Sequence, residues 1–557
     1  WILERMFELG FIHSEQLRLA INAPLTANYY GLVSEVEAPY VAEEVRRHMI
    51  QEYGLKAYSE GLEVFTTIDS KFQNQASRSV SLGLEEYDKR HGFREPENIF
   101  EIFPEGFFDL SKKVKLSDIE HSLKRVDDDF PGEETGLSDV LDYLDKFTEN
   151  KERFLGVVTN VGNNLEFLTK AGEILEIPWI EKYSWARPYI SENRRGARPK
   201  NFEDILKVGD IVWLKKDTLT QSIELTQIPD VQSALISLDP QSGSILALVG
   251  GYDFFLSKFN RSEQASPLLG SNFKPFLYAA AFSDKFTPSS LINDAPIIFD
   301  DEALEERWRP RNASGKFFGP TRLREGLIQS RNLVSVRLLR ELGIEKVRSY
   351  SEKFGFDKQR LPADLSLSLG TASLSPLSNA TAYSVFANGG KRVEPYLISK
   401  IVDRSGNILF EKIADDPEQV IDPRIAFLIN DILKEAAVRG TAKKVSELQR
   451  PDFAGKTGTT NDAESTWFTG YNDQIVTSVW VGFDQPKSLG DREFGSSIAL
   501  PIWLNYKKEI INTIAISKQL PPEGLSIIKI DKDTGEKARS DSKSLMFEYF
   551  LEENKPN

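Results

Sequence analysis

The most informative stretch of the chain reads Leu269-Gly270-Ser271-Asn272-Phe273-Lys274-Pro275-Phe276-Leu277-Tyr278-Ala279-Ala280-Ala281-Phe282. Gly270 allows the backbone to bend tightly, and the apolar, alanine-rich run at 277–282 predicts a buried helix. Ser271 falls in the first turn of this helix, where free N–H groups and the helix dipole favour negative charge. Lys274 follows three residues later, so the spacing predicts that both side chains share one helix face.

A serine hydroxyl is a weak nucleophile until a base takes its proton, and a neutral amine one turn away can be that base. Lysine ordinarily titrates near 10.4, so burial and a nearby cation, for which Lys456 is a candidate, would have to lower its pKa. A histidine base is excluded in this region because the four histidines all lie at or before position 121. These histidines are His13, His48, His91 and His121, and their spacing matches no zinc-protease motif.

The Ser-x-x-Lys spacing is not specific by itself. It recurs at Ser526 with Lys529 and at Ser540 with Lys543, and such a pair is more often a surface serine beside a solvated lysine. What distinguishes the first copy is the order of the motifs that follow it. These are Ser330-Arg331-Asn332 and then Lys456-Thr457-Gly458-Thr459-Thr460, whereas both other copies lie after the Lys-Thr-Gly element.

Ser-x-x-Lys, Ser-x-Asn and Lys-Thr-Gly in this order resemble the motifs of the penicilloyl serine transferases, which comprise penicillin-binding proteins and serine β-lactamases. The wording Gly-Ser-Asn-Phe-Lys-Pro-Phe with Lys-Thr-Gly-Thr-Thr is most similar to the transpeptidase domain of class A penicillin-binding proteins of the Gram-negative 1a type. The resemblance covers nearly the whole chain. One departure is Pro267-Leu268, where the family usually has Arg-Gln, and it bears on the entrance of the substrate groove.

The resemblance implies a role for each motif residue. The catalytic residues it implies are Ser271 as nucleophile, Lys274 as base, Ser330 as proton relay, Asn332 as a holder of the substrate's peptide carbonyl, and Lys456. The substrate-binding residues it implies are Thr457, Gly458, Thr459 and Trp308. The oxyanion hole would consist of the backbone N–H groups of Ser271 and Thr459. Neither a metal nor a cofactor is implied.

Three of these assignments have plainer alternatives. A serine before a helix is often an ordinary N-cap, and Ser-x-Asn also occurs at Ser191 and Ser405. Trp308 opens the segment Trp308-Arg309-Pro310-Arg311-Asn312, which resembles a family loop, although tryptophan is more often a packing residue. Gly458 weakens a strand, and the close approach of an extended substrate peptide is one reason to keep it.

The composition is that of an ordinary globular chain. Its 557 residues predict two to four domains, with 40% hydrophobic and 27% charged residues. The net charge of −15 argues against nucleic acid as a partner, and the lack of cysteine excludes zinc–cysteine sites and disulfides. No apolar run is long enough to span a bilayer. The start at Trp1 indicates a fragment, and the resemblance implies a membrane anchor and a glycan-polymerising domain upstream.

The order of strand and helix patterns predicts an α+β multidomain chain. We expect a helical linker at 1–60, a linker strand and helix at 61–115, and a strand-rich extension at 521–557. Residues 229–520 are expected to form the penicilloyl serine transferase (β-lactamase-like) transpeptidase domain. The short strands and turns within 116–228 resemble an inserted small β-barrel of the oligonucleotide-binding (OB) type. Because the chain is acidic, we expect this barrel to be a spacer or a docking surface for partner proteins and not a nucleic-acid-binding domain.

The function implied is that of a D,D-transpeptidase that cross-links peptidoglycan through a serine acyl-enzyme and is inhibited by β-lactams. Its partners would be stem peptides of the polymer made from lipid II, β-lactam antibiotics, and an outer-membrane lipoprotein activator or other cell-wall proteins at the OB-type module. Its location would be periplasmic, at the inner membrane. Alternatives are a D,D-carboxypeptidase or β-lactamase-like hydrolase, and a sensor or scaffold that is acylated without turnover.

Overall fold

The computed structural model describes residues 2–21, 34–103, 135–147, 149, 152–217, 220–297, 308–413 and 416–556. The chain divides into two compact units, 1–37 and 38–557. The first unit contains α1 (Ile2–Glu8) and α2 (Ser14–Ile21), in agreement with the helices predicted for this region. Within the described ranges, no helix is both long and apolar enough to cross a bilayer.

The larger unit begins with a helical and strand segment. Its elements are α3 (Pro39–Tyr53), α4 (Lys56–Ser59), β1 (Glu63–Thr66) and α5 (Ser70–His91). Helix α5 starts where the Asp69 side chain accepts the N–H of Phe72 at 2.9 Å, an N-cap. It ends at Gly92, whose φ of 114° favours glycine. The predicted strand followed by a helix is therefore confirmed.

A second group of elements forms the OB-type module. Helices α6 (Ile99–Ile102) and α7 (Thr135–Leu144) precede seven strands: β2 (Arg153–Val161), β3 (Asn164–Thr169), β4 (Ile174–Pro178), β5 (Tyr189–Ser191), β6 (Arg194–Arg195), β7 (Ile211–Lys216) and β8 (Ile223–Thr226). Five of them form an antiparallel sheet in the order β4-β3-β2-β7-β8, and β5 pairs with β6. The predicted short strands are confirmed. The predicted start of the module at 116 lies outside the described residues.

The remaining elements build the largest part of the molecule. In chain order they are β9 (Gln232–Leu238), β10 (Ile245–Val249), α8 (Lys274–Phe282), β11 (Leu291–Asp294), β12 (Gly319–Arg322), α9 (Leu323–Ile328), α10 (Asn332–Leu342), α11 (Ile344–Ser351), α12 (Pro376–Ala387), β13 (Lys391–Arg392), β14 (Ile398–Val402), β15 (Ile408–Glu411), β16 (Glu418–Gln419), α13 (Pro423–Arg439), β17 (Ala454–Thr459), β18 (Ser465–Tyr471), β19 (Val476–Gly482), α14 (Ala499–Ile510), β20 (Leu525–Asp531) and β21 (Leu545–Leu551).

A five-stranded antiparallel sheet in the order β10-β9-β19-β18-β17 separates two hydrophobic cores. Successive residues of a strand face opposite sides, so Ile236 packs in one core and Leu235 in the other. The first core contains α8 and α12, and the second contains α5 and α14. Helices thus cover both faces of the sheet, and β17 is left at its edge.

Helix α8 lies at the centre of the first core. Every one of its residues is buried, and the Phe276 ring packs against a cluster of aromatic rings: Phe354, Phe356, Tyr383 and Phe386. This packing buries the start of α8 in the first core. The predicted buried helix is confirmed, but it begins at Lys274, and Ser271 lies in a preceding 3₁₀ turn, Gly270–Phe273.

The alternative Ser-x-x-Lys pairs have no suitable geometry. Ser526 and Lys529 lie on strand β20, where residues three apart face opposite sides. Ser540 and Lys543 are both exposed in the link between β20 and β21. The strand–turn–strand at the C-terminus agrees with the predicted strand-rich extension. Strands β11, β12 and β18 were not predicted from the sequence.

Candidate active site

The structure brings the three ordered motifs together at the edge of the central sheet. Lys274 Nζ donates hydrogen bonds to the backbone oxygen of Ser330 and to Asn332 Oδ1, both at 2.7 Å. Lys456 Nζ donates to Ser330 Oγ at 2.9 Å and to the Thr457 carbonyl at 2.9 Å. Residues separated by more than 50 positions in the chain therefore meet around two lysine amines.

Both lysines are removed from water. Each side chain is fully buried, and burial lowers the pKa of Lys274 well below its ordinary 10.5, with the nearby Lys456 lowering it further. Burial also lowers the pKa of Lys456, to about 7. Burial and a nearby cation are the two causes that the sequence analysis required for a lowered pKa of Lys274, and burial has the larger effect. An apolar enclosure disfavours each ammonium because it removes the water that would solvate the charge.

Ser330 adopts a backbone conformation that is uncommon for residues other than glycine. Its φ is 55°, in the left-handed region, and this turn directs both its carbonyl and its hydroxyl toward the lysines. Helix α10 begins at Asn332 with Arg331 at the N-cap position. The alternative in which Ser330 is an ordinary N-cap is therefore wrong. Strain of this kind persists only where surrounding contacts hold it.

Asn332 is held by the segment that begins at Trp308. Asn332 Nδ2 donates to the Arg311 carbonyl at 2.8 Å, and Asn312 Oδ1 accepts the N–H of Asn332 at 2.9 Å. Asn312 is itself buried and donates to Asp294 at 2.7 Å. Asn312 thus caps α10 from outside the helix, a role the sequence analysis missed. Trp308 is half-buried, and its contact with substrate stays a prediction.

The Lys-Thr-Gly strand packs tightly against the turn that carries Ser271. A Cβ on Gly458 would lie 2.6 Å from the Leu269 carbonyl oxygen, and a Cβ on Gly270 would lie 2.5 Å from the Thr459 carbonyl oxygen. Gly270 also has a φ of 54°. Packing within the protein therefore leaves no room for a side chain at either position, which explains why both residues are glycine. Substrate approach, the reason expected for Gly458, is not needed to account for it.

A buried amide next to the proposed nucleophile links the two elements. Asn272 Nδ2 donates to the Lys456 carbonyl at 2.9 Å, while Asn272 Oδ1 accepts from Asn379 Nδ2 and from Thr469 Oγ1, both at 3.1 Å. All these side chains are buried. No role was assigned to Asn272 from the sequence. No local pattern could reveal it, because its partners come from α12, β17 and β18.

The chain is similar to known proteins over its whole length. The penicillin binding protein transpeptidase domain family matches residues 234–505. Penicillin-binding protein 1A of Pseudomonas aeruginosa is 38% identical over the whole chain, which covers 70% of that relative. The chain belongs to the penicillin-binding protein 1A family. Penicillin-binding protein 1A of Escherichia coli, at 32% identity, is covered to 71% by the whole of this chain.

Two further matches support the fold of this member of the penicillin-binding protein 1A family. The penicillin-binding protein OB-like domain family matches residues 125–231, which confirms the OB-type module. The crystal structure of penicillin-binding protein 1A from Haemophilus influenzae superposes with a TM-score of 0.80 at 29% identity, covering 100% of this chain and 81% of that one. The chain is therefore a penicillin-binding transpeptidase of peptidoglycan synthesis, with the α+β fold expected.

Proposed function

We propose that this protein is a serine D,D-transpeptidase in which Ser271 forms an acyl-enzyme with stem peptides ending in D-alanyl-D-alanine. The observation that carries the proposal is the hydrogen bonding of Lys274. A neutral amine has two N–H donors and one lone pair. Lys274 Nζ has two acceptors at 2.7 Å, the Ser330 carbonyl and Asn332 Oδ1. Ser330 Oγ also lies 3.4 Å from Nζ. In our proposal, the two N–H groups go to the closer acceptors and the lone pair takes the proton of Ser271, one turn earlier.

The edge strand β17 supports the placement of substrate. Among the residues that the structure describes, no strand pairs with its outer edge, so an extended stem peptide can add there as a further strand. Lys456, Thr457 and Thr459 would then contact the terminal carboxylate of the donor peptide. Thr457 Oγ1 is bonded to Thr441 Oγ1 at 2.8 Å, which also brings the loop after α13 to this edge.

The direction of the Thr459 N–H supports the proposed oxyanion hole. The N–H of Thr460 donates to the Ser465 carbonyl on β18 at 3.0 Å. Neighbouring N–H groups along a strand point to opposite sides, so the N–H of Thr459 points away from β18. The Ser271 turn is packed against Thr459 through Gly270. In our proposal, the N–H groups of Ser271 and Thr459 stabilise the negative oxygen that develops in the transition state.

The reaction would proceed in two balanced steps. Ser271 Oγ bonds to the carbonyl carbon between the two D-alanines, Lys274 takes the hydroxyl proton, and the C–N bond breaks. The proton passes through Ser330 to the departing amine of D-alanine. In the second step, an amine of a neighbouring stem peptide bonds to the same carbon, its proton returns through Lys274, and Ser271 is released. A β-lactam would acylate Ser271 and remain attached.

We further propose a periplasmic location at the inner membrane, and docking of an outer-membrane lipoprotein activator or another cell-wall protein at the OB-type module. Exposed apolar side chains on that module support the docking proposal: Ile174, Ile180, Tyr189, Ile190 and Val208. A contiguous apolar patch marks a protein-binding surface, and the docking proposal predicts that a bound partner covers these side chains.

The proposal is tested with uncrosslinked peptidoglycan strands that carry pentapeptide stems. We expect the protein to produce dimeric muropeptides and one free D-alanine for each new cross-link, and Ser271→Ala to produce neither. Release of D-alanine without dimers would identify a carboxypeptidase, and consumption of penicillin without either product would identify a β-lactamase-like hydrolase. A stable acyl-enzyme with no product would identify a sensor.

A further inference from the structure

The loop at 488–495, between β19 and α14, connects the proposed site to distant parts of the molecule. Its last residue, Gly495, donates its N–H to Thr459 Oγ1 at 3.1 Å. The backbone of Gly495 also packs directly against the sheet. A Cβ at this position would lie only 2.3 Å from the Trp467 carbonyl oxygen and 2.5 Å from the Gly458 carbonyl oxygen. The loop therefore rests directly on the end of β17 that carries Thr459.

Glu493 attaches this loop to the end of helix α5. Its carboxylate is buried, and Arg90 Nη2 donates to both of its oxygens at 3.2 Å. Ser497 Oγ donates to Oε2 at 3.1 Å, and His91 Nε2 lies 3.6 Å from Oε1. The attachment is two residues away from Gly495. A carboxylate with several partners at once holds its backbone in one place more firmly than a single surface ion pair can.

The same loop is in contact with the OB-type module. Asn193, in the turn between β5 and β6, accepts the N–H of Asp491 through Oδ1. Gly490 has a φ of 111°, and a Cβ there would lie 2.9 Å from the Glu192 carbonyl oxygen. The loop is thus held between the β5–β6 turn and α5 on one side and strand β17 on the other.

We infer that Glu493 is a positioning residue for the transpeptidase site and that the loop at 488–495 couples the β5–β6 turn of the OB-type module to Thr459. The inference rests on the proposed function, in which the N–H of Thr459 stabilises the oxyanion. A displaced loop would misalign that N–H, while Lys456 and Thr457 keep their proposed contacts with the terminal carboxylate. Because the N–H acts only on charge that develops in the transition state, its misalignment lowers the acylation rate constant more than ground-state binding.

The test is a time course of acylation by a fluorescent penicillin at several concentrations, which separates the rate constant from the binding constant. We expect Glu493→Ala to lower the acylation rate constant about tenfold, to leave the binding constant within about twofold, and still to bind one penicillin per chain. Glu493→Gln keeps an acceptor for Arg90 and is expected to recover part of the rate. The control is Glu509→Ala, an exposed carboxylate on α14, which should match the unaltered protein.

The coupling to the module is tested by Asn193→Ala, alone and with Glu493→Ala. Both changes loosen the same loop, so their combined effect on the rate constant should be smaller than the product of the separate effects. A Glu493→Ala rate constant within twofold of the unaltered protein would overturn the positioning role, and multiplicative effects would overturn the coupling. Should Glu493→Ala fail to fold, Glu493→Gln replaces it in both comparisons. Failure of the unaltered protein itself to be acylated would instead overturn the proposed function.

Discussion

The chemistry of the site depends on two buried lysines whose positions in the chain are 182 residues apart, Lys274 and Lys456. Their motifs could be recognised from the sequence, and so could the need for a lowered pKa. The left-handed Ser330 between them could not, since serine rarely adopts that conformation. Nor could the amides that orient the lysines, Asn272 and Asn312, because each is bonded to segments remote in the chain.

The first prediction concerns the pH dependence of acylation. Lys274 must be neutral to act as a base, so the rate should rise with pH and level off well below 10.5, since the pKa of Lys274 is lowered by burial and by Lys456. In Lys456→Met the second cause is removed, and we expect the rising limb to move to higher pH. The measurement is the second-order acylation constant from pH 5 to 10. An unmoved limb in the variant would contradict the electrostatic link between the lysines.

At the scale of elements, the edge strand β17 and the turn of Ser271 form one packed unit. A strand was predicted at 452–459 and is observed at 454–459. Its neighbour β18 was not predicted, and neither was the close approach of Leu269 to Gly458. A strand pattern indicates which residues alternate and carries no information about which distant turn will rest on them. The glycines of the motif could therefore be recognised, while the packing reason for them needed the structure.

Replacing Gly458 with alanine should damage both stability and activity. The added Cβ would lie 2.6 Å from the Leu269 carbonyl oxygen and 2.9 Å from Trp467 Cβ, so the Ser271 turn must shift. We expect a loss of about 1–3 kcal/mol in the free energy of unfolding and at least a tenfold loss in acylation. Gly162→Ala is the control, because only one atom lies as near as 4.0 Å there. Urea denaturation measures the free energy of unfolding of both variants, and penicillin labelling measures their acylation. Equal values for Gly458→Ala and Gly162→Ala would contradict the prediction.

Helix α14 contains a buried lysine that lies outside the proposed site. Lys507 donates to Thr477 Oγ1 at 2.8 Å, and burial lowers its pKa well below 10.5. At any pH between the lowered pKa of the folded chain and 10.5, the unfolded chain binds a proton here that the folded chain does not, and this difference in proton binding opposes folding. We expect Lys507→Met to raise the free energy of unfolding by about 1–3 kcal/mol at pH 7. The gain should shrink as pH rises toward 10.5, because above that pH the lysine is neutral in the folded and in the unfolded chain alike.

Urea denaturation of Lys507→Met at pH 7 and pH 10 tests this expectation. Lys508→Met is the matched control, since Lys508 is the next residue and forms an exposed ion pair with Glu447, a contact that contributes little to stability. A destabilised Lys507→Met would show that the Thr477 hydrogen bond outweighs the cost of burying the amine. A gain independent of pH would show that the gain does not arise from the proton of the lysine.

At the scale of the whole molecule, α5 contributes to the transpeptidase core and also contacts the OB-type module. Helix α5 packs with α14 on one face of the central sheet, and Glu85 of α5 accepts from Arg153 and Lys215 of the module and from Tyr252. The order of these parts could be predicted from strand and helix patterns. Their contacts could not, because complementary surfaces on separate modules leave no periodic signal in the sequence.

The central claim is that Ser271 is acylated with Lys274 as its base, and intact-mass spectrometry after incubation with benzylpenicillin tests it most directly. We predict one penicilloyl adduct on the unaltered protein that decays over hours, and none on Ser271→Ala. Ser526→Ala, from the alternative Ser-x-x-Lys pair, should be labelled like the unaltered protein. Equal labelling of Ser271→Ala, or no adduct on any of the three proteins, would contradict the account.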